Sequence, residues 1–111
     1  RRTYVRKDLD LNCSFEVRLL EDKSVYSTGS GHVKNLSRDG LLLSGVTSDG
    51  DFLPSKPFYF MVQIPESGIE DLWLKCKPMR IGITENNIEV GLRFFSLQKK
   101  RLKALKEAFQ V

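Results

Sequence analysis

One hundred and eleven residues, 41% of them hydrophobic and 29% charged, suit one domain with a modest core. No apolar run approaches the roughly 18 residues of a membrane-spanning helix, and no apolar segment follows the basic start as a secretory signal requires. The net charge of +4 gathers at the two ends, in Arg1, Arg2, Arg6 and Lys7 and in Lys99, Lys100, Arg101, Lys103 and Lys106; it fits an anionic partner, whether nucleotide, nucleic acid or acidic protein surface.

The chain starts at Arg1 without a Met and reads as a piece of a longer protein. Residues 1–10 carry four cations, Asp8 and Asp10 and few apolar groups, and are expected to form an exposed arm. From Cys13 to Leu19 the pattern has period two: Cys13, Phe15, Val17 and Leu19 share one face, and Ser14, Glu16 and Arg18 the other. That is a half-buried strand. Glu21 to Ser24 make a turn, and a second strand is expected from Val25 to Leu36, with Gly29 and Gly31 marking a bulge or sharp coil. Asn35 to Gly40 then form a tight bend, since Asn and Ser bond their own backbone and Gly40 can take a positive φ.

Leu41 to Leu43 read as a short strand and Val46 to Pro57 as a loop, because of Asp49-Gly50-Asp51, Pro54 and Pro57. Phe58 to Ile64 form a strand ended by Pro65, and Leu72, Leu74 and Cys76 alternate with Trp73, Lys75 and Lys77. Pro78 suggests a sheet edge or a break. Ile81 and Ile83 lead through a hairpin at Glu85-Asn86-Asn87 to Ile88, Val90, Leu92 and Phe94. Ser96 is placed as a helix N-cap, and Leu102, Leu105 and Phe109 give the helix after it one apolar face, with lysines opposite.

Alternating strands must close or cover their edges. The expected fold is therefore mainly all-β, a small antiparallel barrel of six or seven strands with a C-terminal helix. The organisation is an arm at 1–10, a barrel at 11–95 and a helix at 96–111. Cys13 and Cys76 fall at apolar strand positions and read as buried thiols of a reducing compartment; with His32 as the sole histidine they give no metal-ligand spacing. No Gly-rich phosphate loop, His-containing triad or paired carboxylates point to catalysis, so no enzyme activity and no cofactor are expected. Trp73 reads as partly buried against a neighbouring strand or the helix rather than as a ligand contact.

Two motifs stand out: Arg2-x3-Arg6 in the arm and Asn35-x-Ser37-x2-Gly40 in the bend after the second strand. In this order, with a short β-rich chain behind them, they resemble the PilZ family, bacterial receptor domains for the second messenger cyclic di-GMP. The resemblance covers nearly the whole chain, and the family's late Val-Gly-Leu-Arg-Phe segment is matched at Val90 to Phe94. It implies a six-stranded barrel, cyclic di-GMP as ligand and a bacterial cytoplasmic setting. It also implies Arg2, Arg6, Asn35, Ser37 and Gly40 as ligand-binding residues. Signal would pass to an upstream domain or partner protein through ordering of the arm.

The chemistry of those residues suits the ligand. Arginine forks a phosphate or the O6 and N7 of guanine and stacks flat on a base, which lysine does not do. Asn35 offers a carbonyl to guanine N–H groups and an amide to an acceptor; the Ser37 hydroxyl reaches a phosphate or base, and Gly40 permits close backbone approach. Arg1 would add a guanidinium for a stacked pair of ligand molecules, where a single molecule needs fewer cations. Asp39 brings a negative charge beside an anionic ligand, which Arg38 can offset. Two other readings stay open at this point. One is a single-stranded nucleic-acid-binding barrel, disfavoured because Phe15, Phe58, Phe60 and Phe94 fall in core phase. The other is a PilZ-like adaptor that binds no nucleotide.

Overall fold

In the computed structural model, residues 7–49, 52–65, 68, 72–95 and 98–109 are described. They form six strands and one helix: β1 (Lys7–Leu19), β2 (Val25–Leu36), β3 (Gly40–Ser48), β4 (Phe58–Gln63), β5 (Trp73–Ile83), β6 (Ile88–Phe94) and α1 (Lys99–Phe109). The strands close into an antiparallel barrel in the order β1-β2-β3-β6-β5-β4. Closure answers the edge problem, because no described strand is left with an unpaired flank.

The period-two residues fill the interior. Phe15 and Val17 of β1, Phe60 and Val62 of β4, Leu74 and Cys76 of β5, and Val90 of β6 are all but inaccessible to solvent. Phe15 and Phe60 pack with ring centroids 5.4 Å apart, and Phe52, from the loop before β4, meets both at 5.9 and 6.1 Å. The Ser27 hydroxyl, buried beside them, donates to the Phe52 carbonyl at 2.8 Å, so the loop is tied down by a satisfied polar group.

Three elements differ from the sequence reading, for reasons that are local. The first strand begins at Lys7, inside the stretch read as an arm, and Leu11 packs against the core. β3 runs on to Ser48, into the stretch read as loop. Its alternation breaks because Gly45 and Val46 together face Gly31 of β2: Ser30 pairs with Thr47 and His32 with Ser44. Gly45 sits at φ 60, the left-handed position a bulge of this kind requires. The extra residue swaps the inward phase from Leu41 and Leu43 to Val46. The expected bulge near Gly29 and Gly31 is thus real but lies on the facing strand. β5, likewise, does not break at Pro78: Pro78 pairs with Leu92 and Arg80 with Gly91, so Met79 is the surplus residue. A bulge is where a strand tolerates a proline.

Asn87, in the turn before β6, clamps the β3 bulge. Its Oδ1 accepts from the Gly45 N–H at 2.7 Å and its Nδ2 donates to the Ser44 hydroxyl at 3.1 Å. Asn87→Ala is expected to cost about 1 kcal/mol, since Gly45 is exposed enough for water to replace part of the loss. A thermal melt should read this as a fall of roughly 4 °C.

The helix is fixed by apolar packing and by polar contacts to β5. Leu105 is buried in the core cluster and Leu102 packs against it. The Gln98 side-chain amide pairs with both backbone groups of Lys75, donating to its carbonyl at 2.6 Å and accepting from its N–H at 2.9 Å. The expected N-cap, Ser96, lies outside the described residues.

Candidate functional site

The turn from β2 to β3 is held from within and from β6. The Ser37 N–H donates to the Gly40 carbonyl at 2.9 Å, and the Ser37 hydroxyl reaches the same oxygen at 3.4 Å. The Phe94 N–H donates to the Asp39 carbonyl at 2.7 Å. Gly40 is not at positive φ; among the described glycines only Gly45 and Gly68 are. Its lack of a side chain serves another need. A Cβ there would overlap the Leu92 carbonyl oxygen and stand 3.1 Å from the Arg93 Cα. The close approach that glycine permits is therefore that of β6, its partner strand.

Asn35, Ser37 and Gly40 border one hollow of about 560 Å³ on the outside of the barrel. β5 and β6 complete it with Arg80, Glu89 and Arg93. Its floor carries Gly82 and Gly91; a Cβ at Gly82 would meet nothing within 4 Å, and one at Gly91 would come no nearer than 3.9 Å to Arg80. Neighbour packing does not require glycine at either place. Their absent side chains leave a flat, open surface on which a ring can lie. The charges of the lining residues cancel, Arg80 and Arg93 against Asp39 and Glu89. Arg80, Gly82 and Glu89 escaped the sequence reading because no local motif marks them; β-strand register alone brings them to the turn. Arg93 and Gly91 were visible only as part of a matched strand segment.

Arg1, Arg2 and Arg6 lie outside the described residues. Lys7, where description begins, pairs with Leu36, and Asp8 pairs with Asn35. The chain thus enters the barrel alongside the residues that open the turn.

Other candidates are elsewhere. Trp73 is half-buried in β5, paired with Gln63, and borders a different hollow. His32 is exposed, with Nδ1 3.3 Å from Asp10 Oδ1. Burial pushes the Cys13 thiol up to about 11, against a lowering contact from the Gly31 backbone, and burial also raises Cys76. Both are free and protonated at neutral pH, so neither offers a thiolate. Among the described residues no three His, Cys, Asp or Glu side chains are placed to hold a metal ion, and no helix is long and apolar enough to cross a membrane.

Comparison with known proteins agrees with this architecture. The solved structure of the Bacillus subtilis inhibitor of motility (MotI/DgrA) is similar with a TM-score of 0.59 at 17% identity, covering 99% of this chain and 50% of that one. The chain thus spans half the length of that protein. The PilZ domain of YcgR from Escherichia coli, solved with c-di-GMP, is similar with a TM-score of 0.57 at 15% identity, covering 99% of this chain and 90% of that one. At such identities the likeness is one of fold. No curated protein sequence matches the chain. The PilZ domain profile matches residues 1–110. A closed six-stranded barrel with one C-terminal helix, matched from its first residue almost to its last, belongs to the PilZ domain family.

Proposed function

We propose that this domain is a cyclic di-GMP receptor module of the bacterial cytoplasm, with the ligand seated in the hollow beside Asn35, Ser37 and Gly40. The observation that carries the reading is the register at the start of β1. Asp8 faces Asn35 and Lys7 faces Leu36, so the arginine-bearing arm is rooted one residue from the motif it must meet across the ligand. A volume of about 560 Å³ falls within the roughly 300–1,000 Å³ usual for small-molecule sites. The floor at Gly82 and Gly91 takes a guanine face. Asp39, next to Gly40, supplies acceptor oxygens for guanine N1–H and N2–H, with Asn35 beside it. In this role it is an asset where a purely anionic ligand would make it a liability.

The phosphates need cations that the balanced hollow does not provide, and Arg2 and Arg6 supply them. Arg1 adds a third guanidinium where two ligand molecules stack. Binding orders the arm, and a neighbouring domain or partner protein reads the new surface. The domain acts as a sensor and not as a catalyst, and its two buried free thiols suit a reducing compartment. The test is a calorimetric titration with cyclic di-GMP and GTP in parallel. The expected result is saturable binding of the cyclic dinucleotide, weakening as salt rises, with GTP bound at least about tenfold less well. Equal heats for the two nucleotides would remove the assignment.

A further inference from the structure

A second hollow, of about 750 Å³, lies where β4, the start of β5 and the first turn of α1 meet. It shares no lining residue with the glycine-floored one. Its floor is apolar, with Tyr59, Met61 and Phe95. The Lys75 ammonium is held over both rings, 4.7 Å from the Tyr59 centroid and 5.1 Å from that of Phe95. Lys23, Lys99 and Lys100 stand around the rim, and none of the described lining residues is acidic. Arg101 also lines it and is fixed by donating to the Trp73 carbonyl at 3.0 Å.

The placement of these cations works against the helix that carries them. Lys99, Lys100 and Arg101 open α1, whose first turn holds no acidic residue. Positive side chains at the positive end of a helix dipole destabilise it. A carboxylate-bearing partner would reverse that sign and neutralise Lys75 and Lys23 together. The concave apolar floor asks for one hydrophobic side chain from the same partner. Other anionic partners fit less well. Single-stranded nucleic acid needs open ring faces to stack on, and Lys75 covers those of Tyr59 and Phe95, whereas the half-buried Met61 beside them still offers an aliphatic side chain an apolar seat. A flat bilayer does not reach a concave floor, and the apolar Leu102 and Leu105 of α1 are turned to the barrel.

We infer that this hollow docks an acidic segment of a partner protein, with one apolar anchor flanked by Asp or Glu residues. The inference is independent of the nucleotide reading. It is tested by adding a short peptide, one Leu flanked by Asp and Glu, to 15N-labelled protein. A peptide of equal charge with Ser for Leu is the control. Amide shifts are expected at Tyr59, Lys75, Phe95 and Lys99, with the Leu peptide bound at least about tenfold more tightly than the Ser peptide. Lys99→Glu combined with Lys100→Glu should weaken the Leu peptide at least about tenfold while the melting temperature holds or rises, because glutamates suit a helix start. Equal affinity for the two peptides, shifts confined to other residues, or tighter binding of an oligothymidylate or of phosphatidylglycerol vesicles at this hollow would each overturn the inference.

Discussion

Arg2→Ala and Arg6→Ala are each expected to lower cyclic di-GMP affinity about thirtyfold, and the pair together to bring it below detection by calorimetry. The reason is charge balance in the hollow. Arg80 and Arg93 are matched by Asp39 and Glu89, so a ligand with two phosphates gains no net attraction from the walls alone. In the proposed site each guanidinium would make a charge-assisted, two-pronged contact, and its loss at about 2 kcal/mol is the thirtyfold stated. Arg6→Lys separates this account from a merely basic arm. Lysine keeps the charge and loses the fork and the stacking plane, so affinity should fall nearly as far as in the alanine variant. If lysine restored full binding, the arm would be acting only as a diffuse cation. Melting temperatures of these variants should match the parent, because the described core runs from Leu11 to Leu105.

The barrel was legible in the chain wherever two-residue alternation runs unbroken, as from Cys13 to Leu19, Phe58 to Ile64 and Ile88 to Phe94. It became illegible at Gly45 and at Met79, where a surplus residue shifts the inward phase by one. A reader counting alternate positions sees a strand end there. The structure instead continues the strand, because the neighbouring strand still offers its backbone and only the side-chain phase has changed. The site divides in the same way. Its motif half, Asn35 to Gly40, is contiguous and could be read directly. Its other wall, Arg80, Gly82 and Glu89, comes from residues whose nearness depends on the β3–β6 and β5–β6 registers, which no local spacing encodes. Gly40 shows how a motif residue can carry a structural duty. Its place in the motif suggests conformational freedom or ligand proximity, whereas the structure gives its missing side chain to the Leu92 carbonyl.

That distinction yields the second large effect. Gly40→Ala should destabilise the barrel by about 3 kcal/mol, a fall in Tm of roughly 10–15 °C. The added methyl overlaps a main-chain carbonyl of β6, which no rotamer change can relieve, so β3 must pull away from Arg93 and loosen the pairing beside it. Ligand binding would then fall as a consequence of lost structure. Gly91→Ala should behave in the opposite way. Its Cβ would meet nothing closer than 3.9 Å, and alanine in a strand interior is favoured over glycine by roughly 0.5–1 kcal/mol, so the melting temperature should hold or rise slightly. Yet the methyl would stand on the floor of the hollow and lift a stacked ring from it, lowering cyclic di-GMP affinity at least about tenfold. Thermal melts and titrations on the two variants therefore separate a glycine that builds the barrel from one that leaves room for the ligand. Full affinity in a stable Gly91→Ala protein would move the nucleotide off this floor.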